Sequence, residues 1–220
     1  MEPKDGNGSA QPRRRMSRAE QRTETRTRLL DAAESLFGTH GIGETSIEQI
    51  AESAGYSRGA FYSNFDDKDA LVLALIERHQ DGSMAELDEL AELATDHDDF
   101  LSRLFERATD QSVARSTIAI EYILYASRNP AGRPKVRALN QRVLAQHTRL
   151  AQQQFDSLDM ELPLAAADAA KILLGLDEGF AILRLLDPDA FPQSIWGDTV
   201  GLLNDALVAL AEKNARAAAT

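Results

Sequence analysis

The 220-residue chain contains no cysteine, which excludes a disulfide framework and thiolate chemistry and fits a reducing cytoplasm. No run of about 18 apolar residues occurs, so no membrane-spanning helix is expected. Residues 1–16 are polar and hold glycine and arginine but no apolar segment, which argues against a signal peptide. Catalytic constellations are equally scarce. The four histidines, His40, His79, His97 and His147, are scattered, with no HExxH motif and no i, i+4 pair on which to found a metal site or a histidine base. A phosphate-binding Walker loop is missing. Asp98-Asp99 and Asp177-Glu178 are neighbours in sequence and therefore face different ways on a helix, which reads as surface charge. No enzyme, cofactor or metal is expected. Internal repeats are not evident, and strand-like alternation is lacking beyond about Leu93.

The formal net charge is −11, a poor match for nucleic-acid binding, because cations that neutralise phosphates supply most non-specific affinity. Its distribution changes that reading. Residues 1–65 hold nine basic and nine acidic residues, whereas residues 66–220 hold 15 basic against 26 acidic. Between Gln11 and Leu30 there are seven arginines and two glutamates. A positive field thus sits at the N-terminal end and an acidic body faces away from it. Residues 1–17 read as a disordered, basic-ended tail. Arg13–Arg15, Arg18 and Arg22 are candidates for an arm on phosphates or in the minor groove, against the plainer reading of a solvated tail.

The informative stretch is Thr45–Phe65, TSIEQIAESAGYSRGAFYSNF. Ile47, Ile50, Ala51 and Ala54 fall at i, i+3, i+4 and i+7, one side of a helix. Thr45 and Glu48 fit a capping box at its start, and Gly55 supplies the left-handed residue of a tight turn. Ser57 can cap a second helix that Phe61 and Phe65 anchor against the first. The free side of that helix carries Arg58, Gly59, Ala60, Tyr62, Ser63 and Asn64, a set suited to base-pair edges. Arg58, Gly59, Ala60, Ser63 and Asn64 are the candidate base readers. Thr45, Ser46, Tyr56, Tyr62 and Lys68 are the candidate phosphate contacts, with Ser57 at the helix start beside them.

Thr45, Ile50-Ala51, Ala54-Gly55, Ser57, Gly59, Phe61-Tyr62, Phe65, Lys68 and Leu71 together resemble the DNA-binding signature of the TetR family of bacterial transcriptional regulators. The resemblance runs from about Thr23 to Ser83. Tyr56 stands where the family more often has a small aliphatic residue, and Ser63-Asn64 where it often has an aromatic and a histidine. The resemblance implies an all-α fold of about nine helices. A three-helix head over residues 18–83, with its helix-turn-helix motif at 46–65, would precede a ligand-binding and dimerising body over residues 84–220. It also implies a cytoplasmic repressor that binds a palindromic operator as a homodimer and is released by a small molecule.

Along the chain, helix 1 is expected over Arg18–Thr39, stopped by the glycines of GTHGIGE. Asp66 is expected to cap a helix 4 that reaches about Leu93. Short helices follow around Phe100–Ala108 and Ile118–Tyr125, then a long one from Pro134 to Phe155. Segments 164–186 and 194–214 are rich in alanine and leucine. Ile172, Leu176, Phe180 and Leu183 in the first, with Leu203, Leu207 and Leu210 in the second, are the candidate dimer interface, since a helix-turn-helix reader needs a two-fold partner for a palindrome. Closing the core of a monomer is the alternative. For the body, Phe100, Phe105, Tyr122, Tyr125 and Phe155 are candidates to line a ligand pocket, or else plain core. Glu121, bordering that aromatic side, is a candidate partner for a cationic ligand, or else an exposed or salt-bridged glutamate. The rival to a DNA reader is a helical ligand-binding or adaptor protein whose helix-turn-helix no longer reads DNA specifically.

Overall fold

A computed structural model describes residues 17–109, 113–192 and 194–218. The described residues form helices only, in the order α1 (Arg18–Glu44), α2 (Ile47–Ser53), α3 (Arg58–Tyr62), α4 (Lys68–Leu93), α5 (His97–Thr109), α6 (Val113–Arg128), α7 (Arg133–Ser157), α8 (Ala166–Leu186) and α9 (Ser194–Ala218). The Arg13–Arg15 part of the expected arm lies outside the described residues.

Helix α1 begins with Ser17 as N-cap. Its side chain accepts from the Glu20 N–H while the Glu20 carboxylate accepts from the Ser17 N–H, a capping box. The helix runs past the expected stop at Thr39. Gly38 stays helical, and the break falls at Gly41, whose φ of 79° only glycine adopts without strain. Helix α4 reaches Leu93 as expected, but its N-cap is Asp67, which accepts from the Ala70 N–H at 2.7 Å, rather than Asp66. At 26 residues α4 spans about 39 Å.

One continuous core joins the head to the body. Leu29, Ala33 and Phe37 of α1, Ile50 and Ala51 of α2, Phe61 of α3 and Leu71, Val72 and Leu75 of α4 are buried together with Ile118 and Tyr122 of α6. Because α6 is seated in this cluster, residue 83 is not a boundary between two cores. Tyr122 belongs here, stacked edge-on against His79 at 5.7 Å between ring centroids, and burial pushes its phenol well above the ordinary range. Tyr125 packs against the same core and donates no part of its ring to a ligand pocket; its hydroxyl accepts from Asn129 Nδ2, which also reaches Asp69 on α4. A second, smaller cluster builds the far end of the body around Trp196 and Val200, with Leu104, Phe105, Leu173 and Phe180 against it.

Candidate nucleic-acid interface and body cavity

The α2–turn–α3 unit is held by short-range chemistry. Ser46, not Thr45, is the N-cap of α2: its hydroxyl accepts from the Gln49 N–H at 3.2 Å and Gln49 Oε1 accepts from the Ser46 N–H at 2.8 Å. Thr45 is only 2% exposed and donates its hydroxyl hydrogen to the Gly41 carbonyl, so it is withdrawn from any phosphate. The sequence satisfies the box in both registers, TxxE and SxxQ, and burial of Thr45 against the α1 break selects the second. Ser46→Ala should therefore cost about 1 kcal/mol in denaturant unfolding; an unchanged midpoint would show that the Ser46 cap contributes nothing.

Gly55, at φ 76°, makes the turn, and Ser57 caps α3 by accepting from the Ala60 N–H. Gly55-Tyr56-Ser57-Arg58-Gly59 has the GxSxG spacing of a hydrolase nucleophile. Here the serine lies between two helices rather than at a strand-to-helix elbow, and no histidine hydrogen-bonds it among the described residues. Phe61 and Phe65 are buried 5.7 Å apart, fixing α3 against α1 and α2. Arg26 of α1, counted in sequence only as charge, lies 4.2 Å over the Phe65 ring and donates to the Asn64 carbonyl.

The outward side of this unit presents Ser57, Arg58, Gly59, Tyr62 and Ser63 to solvent, while Tyr56, Ala60 and Asn64 are half-buried. Asn64 Nδ2 is tied back to the Ala60 carbonyl, and Ser63 Oγ to the Gly59 carbonyl. Arg58 Nη1 lies 2.8 Å from Glu48 Oε1, and its other terminal nitrogen is 3.4 Å from the Tyr62 hydroxyl. An ion pair this exposed contributes little to stability, so the guanidinium is aimed but free to exchange partners.

Lys68 does something other than contact phosphate. Its ammonium donates to the carbonyls of Ile42 (2.9 Å), Thr45 (3.0 Å) and Gly43 (3.4 Å). An ammonium has three donors, and all are committed to the carbonyls that the end of α1 leaves unpaired. Glu121 is likewise not in a ligand pocket. From α6 its Oε2 accepts from the Ile42 N–H at 3.0 Å, and its carboxylate lies where a Cβ on Gly41 would meet it at 3.3 Å. Two opposite charges thus grip the same backbone, one by its carbonyls and one by its N–H.

The cavity of the body lies farther out, with a volume of ≈ 140 Å³. Of the six expected pocket residues, Phe100 and Phe155 line it. Phe105 stands behind the wall, edge-on to Trp196 at 6.2 Å. The polar wall consists of groups the sequence pattern had set aside. Phe100 and the ring of His97 come from α5, with His97 held between Gln154 (3.1 Å) and Asn204 (3.0 Å). His147 of α7 and Asp177 of α8 complete it with Arg107. Adjacent acidic residues proved no guide here, since Asp177 faces the cavity rather than solvent. Burial lowers the His147 imidazole below its ordinary pKa, and burial raises the Asp177 carboxyl, with Arg107, His147 and Arg184 drawing it partly back.

The expected dimer face is also revised. Ile172, Leu183 and Leu210 are exposed, and Leu176 is half-buried. Leu203 and Leu207 line the cavity instead, and Phe180 packs on the Trp196 cluster. The outward apolar residues of this surface are Ile172, Ile182, Leu183, Leu186, Leu202 and Leu210, with Leu186 at 78% and Leu202 at 71% exposure. Among the described residues no helix is long and apolar enough to cross a membrane.

Residues 29–75 match the family model described as bacterial regulatory proteins, tetR family. The chain is 24% identical over 163 residues to the uncharacterized HTH-type transcriptional regulator YfiR of Bacillus subtilis, covering 73% of this chain and 80% of that one. To the HTH-type transcriptional regulator UidR of Escherichia coli it is 29% identical over 106 residues, 48% of this chain and only 54% of UidR. The fold matches that of a Saccharomonospora viridis transcriptional regulator solved in complex with choline, with a TM-score of 0.69 at 18% identity over 81% of this chain and 94% of that one. Residues 29–75 thus form a head of the tetR family of bacterial regulatory proteins, and the described residues share the all-helical fold of a solved transcriptional regulator.

Proposed function

We propose that the protein is a ligand-responsive repressor that works in the cytoplasm as a homodimer on a palindromic operator and leaves it when a small molecule enters the body cavity. The observation that carries this reading is the α3 face: Arg58, Gly59, Tyr62 and Ser63 stand exposed on a helix whose other side is locked by Phe61 and by the Ser57 cap. Arg58 and Ser63 then reach base edges, while the capped start of α2 at Ser46, with Tyr56 and Tyr62, sets register on phosphates. The apolar surface of α8 and α9 supports a two-fold partner, which places one reader on each half-site. The cavity supports a ligand, as does the choline held by the Saccharomonospora viridis relative.

Helix α4 links the two sites in one rigid element. Leu71, Val72, Leu75 and Ile76 sit in the head core, and Leu87 on the same helix lines the cavity. A ligand that prefers one tilt of α4 shifts the spacing of the two heads, and only by its differential affinity for the two states. Selection of bound sequences from random duplex DNA tests the reader. A palindrome is expected, and Arg58→Ala should lose about 1–3 kcal/mol and relax preference at one base position. Salt-sensitive binding without a motif would refute sequence-specific repression.

A further inference from the structure

The cavity wall carries both donors and acceptors of hydrogen bonds. Among its donors, Arg107 Nη2 donates to Ser83 Oγ at 2.7 Å and its Nε is ion-paired with Glu86 at 3.5 Å, both ring nitrogens of His97 are bridged to amide groups, and the Trp196 indole N–H has no hydrogen-bond partner. Two acceptors are open. Asp177 makes no hydrogen bond or ion pair among the described residues, although it lines the cavity beside Leu173 and Trp196. His147 lies 2.9 Å from the Val143 carbonyl through Nδ1. A carbonyl only accepts, so Nδ1 carries the proton, and the neutral ring leaves Nε2 as a second acceptor. The carboxyl of Asp177 is raised by burial, and the charges of Arg107, His147 and Arg184 draw it only partly back.

We propose that the cavity takes a small aromatic or aliphatic amine, its ammonium on Asp177 with His147 Nε2 as a second acceptor, and its apolar body against Phe100, Leu150 and Trp196. This rests on the reading of the cavity as the effector site. A volume of ≈ 140 Å³ accommodates roughly one phenyl ring, since an engineered cavity of about 150 Å³ binds benzene. An ammonium presents several N–H donors to acceptors that now have none, whereas a carboxylate of the same shape meets Asp177 as a like charge.

Trp196 is the only tryptophan of the chain and lines the cavity, so its fluorescence reports occupancy of the full-length protein. Phenethylamine, 2-phenylethanol and phenylacetate are titrated side by side. Phenethylamine is expected to bind at least about tenfold more tightly than either of the others, a margin of about 1.4 kcal/mol. Asp177→Asn should remove that margin while 2-phenylethanol binding stays within about threefold. Equal affinities, tighter binding of phenylacetate, or a margin that survives Asp177→Asn would each overturn the amine assignment and leave the effector site standing. No response to any of the three at millimolar concentration would overturn both. The comparison of the three probes on the unaltered protein holds even if the variant fails to fold.

Discussion

Phe61→Ala is expected to lower the unfolding free energy by about 3–5 kcal/mol, the usual cost of replacing a fully buried phenylalanine with alanine. The ring is 0% exposed and touches both flanking aromatics, Tyr62 edge-on at 5.5 Å and Phe65 at 5.7 Å between centroids. Helix α3 has five residues, too few to hold by its own hydrogen bonds, so its position depends on this anchor. Against a typical total of about 5–15 kcal/mol, the loss is large. For a chain of this size it corresponds to a drop of roughly 6–20 °C in melting temperature. Because Phe61 shares one core with Ile118 and Tyr122 of α6, the destabilisation should appear in a single calorimetric transition that includes the body. A melting temperature within a degree or two of wild type would show that α3 is fixed by something other than this ring. Specific DNA binding should fall together with stability, whereas Arg58→Ala should spare the melt, and that contrast separates the anchor from the reader.

The helix-turn-helix was legible because each of its signals is local. A glycine at the turn, capping residues within three positions and an i, i+4 aromatic pair need no knowledge of the rest of the fold. The one-residue error at the α2 cap arose where two local patterns overlap and a distant contact, Thr45 to Gly41, decides between them. Lys68 and Glu121 were misplaced for a related reason. Their partners are backbone groups 26 and 79 residues away in sequence, freed by a break in α1, and no side-chain pattern reports an unpaired carbonyl or N–H. The cavity was harder still, since His97, His147 and Asp177 meet only after α5, α7 and α8 have packed. On α9 the leucines at 202, 203, 207 and 210 fall within a single arc of about 140°, so periodicity alone could not tell the solvent side from the cavity side.

Glu121→Ala should cost about 1–3 kcal/mol of stability, because it leaves the Ile42 N–H, in a residue only 5% exposed, without its acceptor. Glu121→Gln, which keeps an amide oxygen for the same N–H, should recover most of that loss. The functional consequence follows from where the contact lies. Gly41 to Thr45 is the segment by which α1 hands over to α2, and it is gripped on one side by Lys68 at the start of α4 and on the other by Glu121 of α6. A movement of α6 relative to α4 therefore bears on the backbone that sets the position of α2, with no flexible linker between. Removing the carboxylate should loosen the head from the body, so that a bound effector releases DNA less completely from Glu121→Ala than from wild type or Glu121→Gln. Operator affinity measured with and without a saturating ligand gives that coupling directly as a ratio. If Glu121→Ala loses stability but keeps the wild-type ratio, the contact holds the fold together and the signal travels through α4 alone.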